Sequence, residues 1–403
     1  MSRDRLRIAV VAPYPPPKAK HVYTSGVASY TKSLVEALRG INPRIEVHIV
    51  ADRREGLPRL YIDNNVVVHR VYNRRPLYVF QIFRELHRIK PNVVHIQYEY
   101  FLYGGLLTAV LFPLLVALSR LASNKVVATL HGVIPLKLLD DDEFRRENGI
   151  HGPAPVLKLG LLLITKLIVL FANKVIVHEL FLKEYLVRCY KEKPRKIVII
   201  PHGVEDVKPL PKEEAKKKLG LEGETVLLYF GYLTGYKGLK EFLDAYKAVA
   251  KEIPNAVLII AGGLHPRLIK EKWYRDWIRD LVEKALAVWQ EIRDHGRIMF
   301  IGYVPENRIS LYFSAADIVV LPYKARIAAS GPEALAIAFE RPYFIPKDPN
   351  GCARMTVKTL TQKICEILES RNLLKVRRVK EVRNWTNIAR LHLKVYLGRK
   401  PTL

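Results

Sequence analysis

The chain has 403 residues, which is long enough for two domains, and its hydrophobic content of 49% excludes a disordered protein. The formal net charge of +27 is its most unusual bulk property and predicts an anionic partner: a phosphorylated substrate, an acidic lipid surface or a nucleic acid. Cys189, Cys352 and Cys365 show neither metal-ligand spacing nor a disulfide framework, so we expect a protein of the reducing cytosol. Low Cys and Met with abundant Lys, Arg, Ile and Val is typical of a thermophile.

The first residues lead into a strand pattern rather than the apolar core of a secretion signal. Two other stretches, 106–119 and 156–171, are apolar, but a membrane span takes about 20 mostly apolar residues. Pro113 lies in the first stretch, which is too short, and Lys158 and Lys166 interrupt the second. Buried helices are therefore the favoured interpretation. Insertion at an anionic membrane surface is the second, because basic residues flank both stretches, and it would place a cytoplasmic protein peripherally at the inner membrane face.

Short β-rich apolar runs alternate with helical patterns through the first half of the chain. The predicted strands are 7–12, 45–50, 66–71, 93–97, 126–130, 174–177 and 197–200. The predicted helices are 26–39, 77–89, 105–121, 156–171 and 180–190. The segment 201–211 follows, and its Pro, Gly and charged residues are typical of a linker.

The alternation restarts in the second half. Its predicted strands are 226–230, 257–261, 299–301, 318–321 and 343–345, and its predicted helices are 239–251, 268–292, 307–313 and 331–339. The whole pattern predicts two doubly wound α/β domains with a boundary near Asp206. Ligands of open α/β sheets bind beyond the carboxyl ends of the strands, so the cleft between the domains is the expected site.

Three strand-end loops of the first half are candidates for chemistry. The long, Pro-rich loop 13–26 leads into a helix that Ser25 can cap, and Gly26 lets a ligand approach the backbone. Glu99 follows the strand 93–97, although an ordinary surface carboxylate is an equally simple interpretation. His131 follows the strand 126–130, where an imidazole can bond a ligand hydroxyl, although a lone histidine is more often structural.

The loop after the strand 226–230 has the features of a phosphate site. Gly231 ends the strand and Lys237 precedes the next helix, which places a cation beside a helix N-terminus. The spacing is not that of a Walker loop. Further along, Gly262 and Gly263 permit another close approach to the backbone.

The helix that begins near Ser330 is a second candidate anion site. Ser330 and Glu333 have capping-box spacing, Pro332 suits the first turn, and Gly331 exposes backbone N–H groups. An ordinary capped helix explains the same residues equally well. No metal-ligand pattern and no Ser/His/Asp set is evident by spacing, and the acidic run 140–143 is typical of a loop or a helix cap.

Taken in order, these motifs resemble the retaining glycosyltransferases of the GT-B fold, specifically the large group 1 (family 4) enzymes. The matching segments are 25–34, 93–99, 129–131, 199–204, 230–238, 301–305, 315–323, 330–342 and 384–389. Each motif is loose, but the order and spacing together are fairly specific and cover nearly the whole chain.

The resemblance implies two Rossmann-like domains, residues 1–206 on the acceptor side and 207–383 for the nucleotide sugar, with a terminal helix in 384–403 that crosses back. It implies transfer of a hexose from a UDP- or GDP-sugar to a glycan or lipid-linked acceptor with retention, and neither a metal nor another cofactor. His131 would contact the donor sugar and Glu99 would lie on the acceptor side. The residues implied for the donor are Ser25, Gly26, Gly231, Lys237, Tyr303, Val304, Ser330, Gly331, Pro332 and Glu333.

Two departures from the family pattern concern charge. Ile327 and Leu335 occupy the positions of the family's two glutamates, and Glu333 is two residues out of register. Tyr232 stands where the family usually has an arginine after the glycine. The candidates for the missing positive charge are Lys324, Arg326 and Arg267.

These departures leave other functions open. A degenerate member that binds nucleotide or glycan without catalysis is one alternative, and a sugar-nucleotide epimerase of the same architecture is another. A nucleic-acid-binding protein is a third, motivated by charge alone. No recognition module is visible and the basic residues do not alternate with aromatic ones, so no nucleic acid is expected as a partner.

Overall fold

Two separate sheets organise the computed structural model, which describes residues 6–17, 26–253, 255–346, 356–370 and 373–401. The first sheet contains β1 (Arg7–Val11), β2 (Glu46–Asp52), β3 (Leu60–Asp63), β4 (Val66–Tyr72), β5 (Val93–Tyr98), β6 (Lys125–Leu130), β7 (Lys174–Val177) and β8 (Ile197–Ile199). Their spatial order is β3-β4-β2-β1-β5-β6-β7-β8. Every neighbouring pair is parallel except β3 with β4. The carboxyl ends of seven strands therefore lie at one edge.

Helices cover both faces of this sheet, because parallel strands with two apolar faces must be buried on each side. The helices of the first half are α1 (Gly26–Ile41), α2 (Tyr78–Ile89), α3 (Leu106–Ala122), α4 (Asp142–Glu147), α5 (Ala154–Phe171) and α6 (Leu180–Arg188). One core packs α2, α3, α5 and α6 against the sheet, and a second core packs α1 against the other face. Asp141 caps α4 by accepting the N–H groups of Glu143 and Phe144, which confirms the predicted helix cap.

The second sheet is smaller and entirely parallel. Its strands are β9 (Thr225–Phe230), β10 (Ala256–Ala261), β11 (Gly296–Phe300), β12 (Ile318–Val320) and β13 (Tyr343–Phe344), in the order β11-β10-β9-β12-β13. Its helices are α7 (Lys212–Leu219), α8 (Leu239–Glu252), α9 (Lys272–Ile292), α10 (Glu306–Ala315), α11 (Gly331–Ala338), α12 (Val357–Ser370) and α13 (Leu373–Val382). The helices α8, α9 and α12 cover one face, while α10 and α11 cover the other.

The final helix, α14 (Trp385–Tyr396), leaves the second sheet and packs against α1. Its apolar residues join the core of the first half, and the backbone N–H of Val204 donates to the carbonyl of Arg383 just before the helix. Gly203 lies under the Trp385 ring, where a Cβ would come within 2.6 Å of three ring carbons. The predicted domain boundary at Asp206 stays a prediction.

All twelve predicted strands are present, and the prediction of two doubly wound α/β units is confirmed. The short edge strand β3 was not predicted, because its antiparallel pairing depends on β4 rather than on a long apolar run of its own. The expectation that 156–171 forms a buried helix is wrong. Only 17% of α5 is buried, although it is long and apolar enough to cross a membrane.

Candidate active site

The end of β9, Lys237 and the first turn of α11 meet in one place. Gly231 follows β9 with a φ of +131°, a conformation that side chains rarely adopt. A Cβ at this position would lie 2.8 Å from the Lys237 Nζ and 3.8 Å from the Pro332 Cγ. The missing side chain of Gly231 therefore leaves the space into which the Lys237 ammonium group extends, beside the N-terminus of α11.

Lys237 is a partly buried cation that has no acidic partner in the part of the chain that the structure describes. Burial lowers its pKa to about 8, and no carboxylate among the described residues lies within salt-bridge distance. The basic residues Lys324 and Arg326, in contrast, each have an acidic partner. The Lys324 Nζ lies 3.2 Å from a Glu241 oxygen, and an Arg326 nitrogen lies 3.4 Å from a Glu333 oxygen. A desolvated ammonium group of this kind gains most from an anionic ligand that supplies the missing charge.

The start of α11 has the predicted cap but not the full capping box. The Ser330 Oγ accepts the N–H of Glu333 at 3.2 Å and lies 3.0 Å from the Tyr323 hydroxyl. The Glu333 side chain does not return to the cap, because it is buried between Arg326 and Arg383. Gly331 is exposed, with open space where a Cβ would be. The first turn can therefore present backbone N–H groups and its positive dipole end to an anion.

Tyr303 and Val304 lie next to the paired glycines after β10. A Cβ on Gly263 would lie 3.2 Å from the Tyr303 Cβ, so this glycine allows Tyr303 to pack directly on the backbone. The Tyr303 side chain is 54% exposed, whereas Val304 is buried in the core and offers a ligand only its backbone. Their role in holding a base stays a prediction.

The edge of the first sheet supplies the opposite wall. Gly26 begins α1 and has open space around its Cα, while Ser25 lies outside the described residues. Glu99 is half-buried; burial raises its pKa, and the positive charge of Arg267 opposes that shift. Arg267 is exposed and forms no salt bridge among the described residues, whereas the other two candidate replacement cations, Lys324 and Arg326, are paired with glutamates. Tyr232 instead contacts the ring of His265.

His131 belongs to a group of five imidazoles, of which four are buried and His202 is half-buried. We call it the histidine cluster: His95, His131, His178, His202 and His392. The His131 Nε2–H donates to the Gln97 Oε1 at 2.7 Å, and its Nδ1 lies 3.2 Å from the His178 Nε2. Tyr30 of α1 lies at the centre, with ring centroids of His131, His178 and His202 within 5.2 Å. Both His131 nitrogens are thus occupied within the protein, and its contact with a donor sugar stays a prediction.

We expect the histidine cluster to make the protein sensitive to acid. Burial lowers the pKa of His178 to about 3 and those of His202 and His392 to about 4, and it holds the pKa values of His95 and His131 well below their usual range. The unfolded chain binds more protons below its ordinary histidine pKa of about 6.5, so stability is fully present above that pH and falls as the pH is lowered. The expected loss is about 1 kcal/mol per histidine for each pH unit below about 6.

Urea unfolding at pH 7.5, 6.5 and 5.5 measures this effect. Replacing His202 by glutamine is expected to reduce the pH slope by about one proton, and the same change at the exposed His295 is the control variant. Equal stability at pH 7.5 and 5.5 would contradict the prediction.

The two halves touch directly at the cleft. The backbone N–H of Val133 donates to the carbonyl of Ile327 at 2.7 Å, and Gly132 forms an antiparallel bridge with Ala328. The Ile327 side chain packs in a small apolar cluster with residues of both halves, and Leu335 packs against the core of the second sheet. At the two positions where the family has glutamates, this chain therefore has apolar side chains that pack against their neighbours.

Glu147 makes a second contact across the cleft that the sequence did not indicate. It ends α4 in the first half, and its Oε1 and Oε2 accept the N–H groups of Gly235 and Tyr236 at 2.5 Å and 2.9 Å. Those N–H groups begin the turn that carries Lys237. Burial raises the pKa of Glu147, and the two backbone N–H groups oppose that shift. No local sequence pattern indicates this role. Glu147 lies beyond the acidic run 140–143, and its partner Gly235 is 88 positions away along the chain.

Within the described parts of the chain, no group of three or more His, Cys, Asp or Glu side chains is arranged to hold a metal ion. The predicted independence from metals stays a prediction.

Comparison with known families matches most of the chain. Residues 24–208 match the family described as Glycosyltransferase Family 4, and residues 211–339 match Glycosyl transferases group 1. An alpha-monoglucosyldiacylglycerol synthase of Streptococcus pneumoniae is 29% identical over 171 residues, 38% of this chain and 34% of that protein. A GDP-mannose:glycolipid 4-beta-D-mannosyltransferase of Xanthomonas campestris is 32% identical over 136 residues, 33% of this chain and 34% of that protein. The matches thus span about a third of these relatives' length.

Similar solved structures cover nearly the whole chain. Sucrose-phosphate synthase from Thermosynechococcus elongatus has a TM-score of 0.70 at 20% identity. The superposed residues cover 98% of this chain and 99% of the synthase chain. Anabaena HepE in complex with UDP has a TM-score of 0.65 at 14% identity and covers 97% of this chain and 99% of its own. These likenesses establish the fold. Together with the two family matches and the two facing sheets, they show that this chain belongs to the group 1 (family 4) glycosyltransferases of the GT-B fold.

Proposed function

We propose that this protein transfers a hexosyl group from a nucleotide-sugar donor to a glycan or lipid-linked acceptor, with retention and without a metal ion. The observation that carries the proposal is the Lys237 ammonium group. It is partly buried, has no acidic partner among the described residues, and lies beside Gly231 and the N-terminus of α11. A nucleoside diphosphate supplies the negative charge that this arrangement favours.

The chemistry follows from where charge develops. The bond between the anomeric carbon and the diphosphate oxygen breaks while the acceptor oxygen bonds to that carbon, and the acceptor proton passes to the departing diphosphate. Lys237 and the N–H groups of the first turn of α11 stabilise the charge on the leaving group. The contacts of Val133 with Ile327 and of Glu147 with the turn close the cleft, which limits hydrolysis of the donor by water.

The acceptor class is supported by the names of the relatives. One is named for the synthesis of a monoglucosyldiacylglycerol, and the other is named for a glycolipid acceptor. Their names also specify products of opposite anomeric configuration, alpha and 4-beta, so retention must be measured directly.

A screen of UDP-glucose, GDP-mannose and related donors, each with lipid extracts and oligosaccharides, tests the proposal. We expect acceptor-dependent release of nucleoside diphosphate with one donor, and proton NMR of the product then gives the anomeric configuration. Isothermal titration of the same donors runs in parallel. Absence of both transfer and donor binding would rule the proposal out.

A second candidate function is binding of nucleotide or glycan without catalysis. The packed, apolar Ile327 and Leu335 at the two glutamate positions favour it, because neither can contact a ligand as a carboxylate does. Donor binding without transfer to any acceptor would support this alternative, and measurable turnover would eliminate it.

A further inference from the structure

The helix α5 carries an exposed apolar stripe along its full length. Val156, Leu159, Leu163, Leu167 and Leu170 follow one another at intervals of three or four residues, so they share one face of the helix. They are between 38% and 66% exposed. The opposite face of α5 packs against the sheet, where Thr165, Ile168 and Val169 are buried. The stripe is therefore additional apolar surface rather than an unfinished core.

The neighbouring helix α3 widens this surface. It packs beside α5 and exposes Leu107, Val110 and Leu114, again at helical spacing on one face. We call the exposed residues of α3 and α5 the apolar face. Large apolar surfaces exposed to water are uncommon on monomeric proteins, and such surfaces usually bind a partner or a membrane.

The fold prevents α5 from crossing a membrane. It connects β6 to β7, which are adjacent parallel strands of one sheet, so both of its ends remain attached to the same domain. It also contains Lys158 and Lys166. An apolar helix with basic residues that cannot span can still lie in the plane of a membrane surface, with its apolar side among the acyl chains.

Basic residues border the apolar face. Lys166 is exposed one turn from both Leu163 and Leu170. The Lys196 Nζ donates to the carbonyls of Val169 and Leu170 at 2.7 Å and 2.8 Å, which places its charge at the end of α5. Arg120 is exposed at the end of α3. Glu192 is the acid near Lys166 and Lys196, and their positive charges oppose the rise that burial causes in its pKa. An apolar surface with a basic border complements anionic phospholipid rather than a neutral surface.

We propose that the apolar face of α3 and α5 docks the protein on an anionic membrane, with α5 lying in the interfacial plane. The first residues of both helices lie at the carboxyl edge of the sheet, which is also the edge that faces the cleft. The docked protein thus places its cleft next to the lipid surface. Membrane binding does not depend on the proposed transfer reaction, but it provides a route by which a lipid-linked acceptor reaches the cleft.

Vesicle flotation of the full-length protein tests this docking. We expect binding to vesicles of phosphatidylglycerol and phosphatidylcholine, weakened by salt, and little binding to phosphatidylcholine alone. Leu163→Glu is expected to lower partitioning about tenfold or more, the effect of losing one inserted leucine. Lys166→Gln is expected to lower it about fivefold on anionic vesicles only.

Leu286→Glu on α9 of the other half is the matched control, because Leu286 is 52% exposed and Leu163 is 50% exposed. It should leave partitioning unchanged, and circular dichroism should show that both variants are folded. Binding that is absent, or equally reduced by both variants, would overturn the proposal. A face used for self-association would also overturn it, and would appear as a dimer that Leu163→Glu converts to a monomer without any vesicle binding.

Discussion

Replacing Lys237 by alanine is expected to lower kcat/KM for the nucleotide-sugar donor about 100- to 1,000-fold, the usual cost of removing one fixed donor that stabilises a developing negative charge. Its ammonium group lies in the space left by Gly231, beside the start of α11, and has no acidic partner among the described residues. Lys324 and Arg326 cannot readily take over this position, since they pair with Glu241 and Glu333.

The pH dependence of donor binding gives Lys237 a distinct signature. Because burial lowers its pKa to about 8, the group is charged below that pH and must take up a proton to bind a diphosphate above it. The dissociation constant of the nucleoside diphosphate is therefore expected to rise by up to about tenfold per pH unit above pH 8. Titration calorimetry at pH 7, 8 and 9 measures this rise.

Two variants separate this role from a general loss of positive charge. Lys237→Ala should weaken binding and remove the inflection near pH 8, whereas Lys324→Ala should change kcat/KM only a few fold, because Lys324 is exposed and paired with Glu241. Similar effects of both variants would show that the local field, rather than a direct contact of Lys237, determines donor binding.

Replacing Glu147 by alanine is expected to destabilise the protein by about 3 kcal/mol, because it leaves the N–H groups of Gly235 and Tyr236 without their charged acceptor. The same change releases the turn that carries Lys237, so the Michaelis constant for the donor should rise as well. Urea unfolding measures the first effect, steady-state kinetics the second, and small-angle scattering any opening of the cleft.

Glu283→Gln is the control for the loss of a negative charge. Glu283 lies on α9, away from the Gly235 turn, and is exposed. It should change neither stability nor donor kinetics by more than about 0.5 kcal/mol, as is usual for surface substitutions. Glu147→Gln keeps the shape but loses one acceptor, so its effect should lie between those of Glu147→Ala and the control. Unfolding of Glu147→Ala at the wild-type urea concentration would refute a stabilising role for this contact.

Local patterns were sufficient for the architecture. Apolar runs that alternate with helical patterns predicted twelve strands, and all twelve are present. They were predictable because a parallel strand that is buried on both faces needs a continuous apolar segment. The cap of Ser330 on α11 and that of Asp141 on α4 were predictable for a similar reason, since a capping side chain bonds a backbone N–H only two or three residues away. The role of Lys237 was also predictable from the sequence, because it is a basic residue directly before a predicted helix and shortly after Gly231.

Contacts between distant residues were decided only by the tertiary structure. The contact of Glu147 with Gly235 and Tyr236 depends on how the two halves meet, and it joins residues 88 and 89 positions apart. The surroundings of the Lys237 ammonium group, which meets no carboxylate among the described residues, also depend on the packed structure. The histidine cluster could be anticipated in part, because His131, His178 and His202 each follow a strand end, but His392 joins it through the return of α14. Periodicity also failed for α5. An apolar helix is buried or exposed according to what covers it, and here the sheet and α3 cover only its inner side.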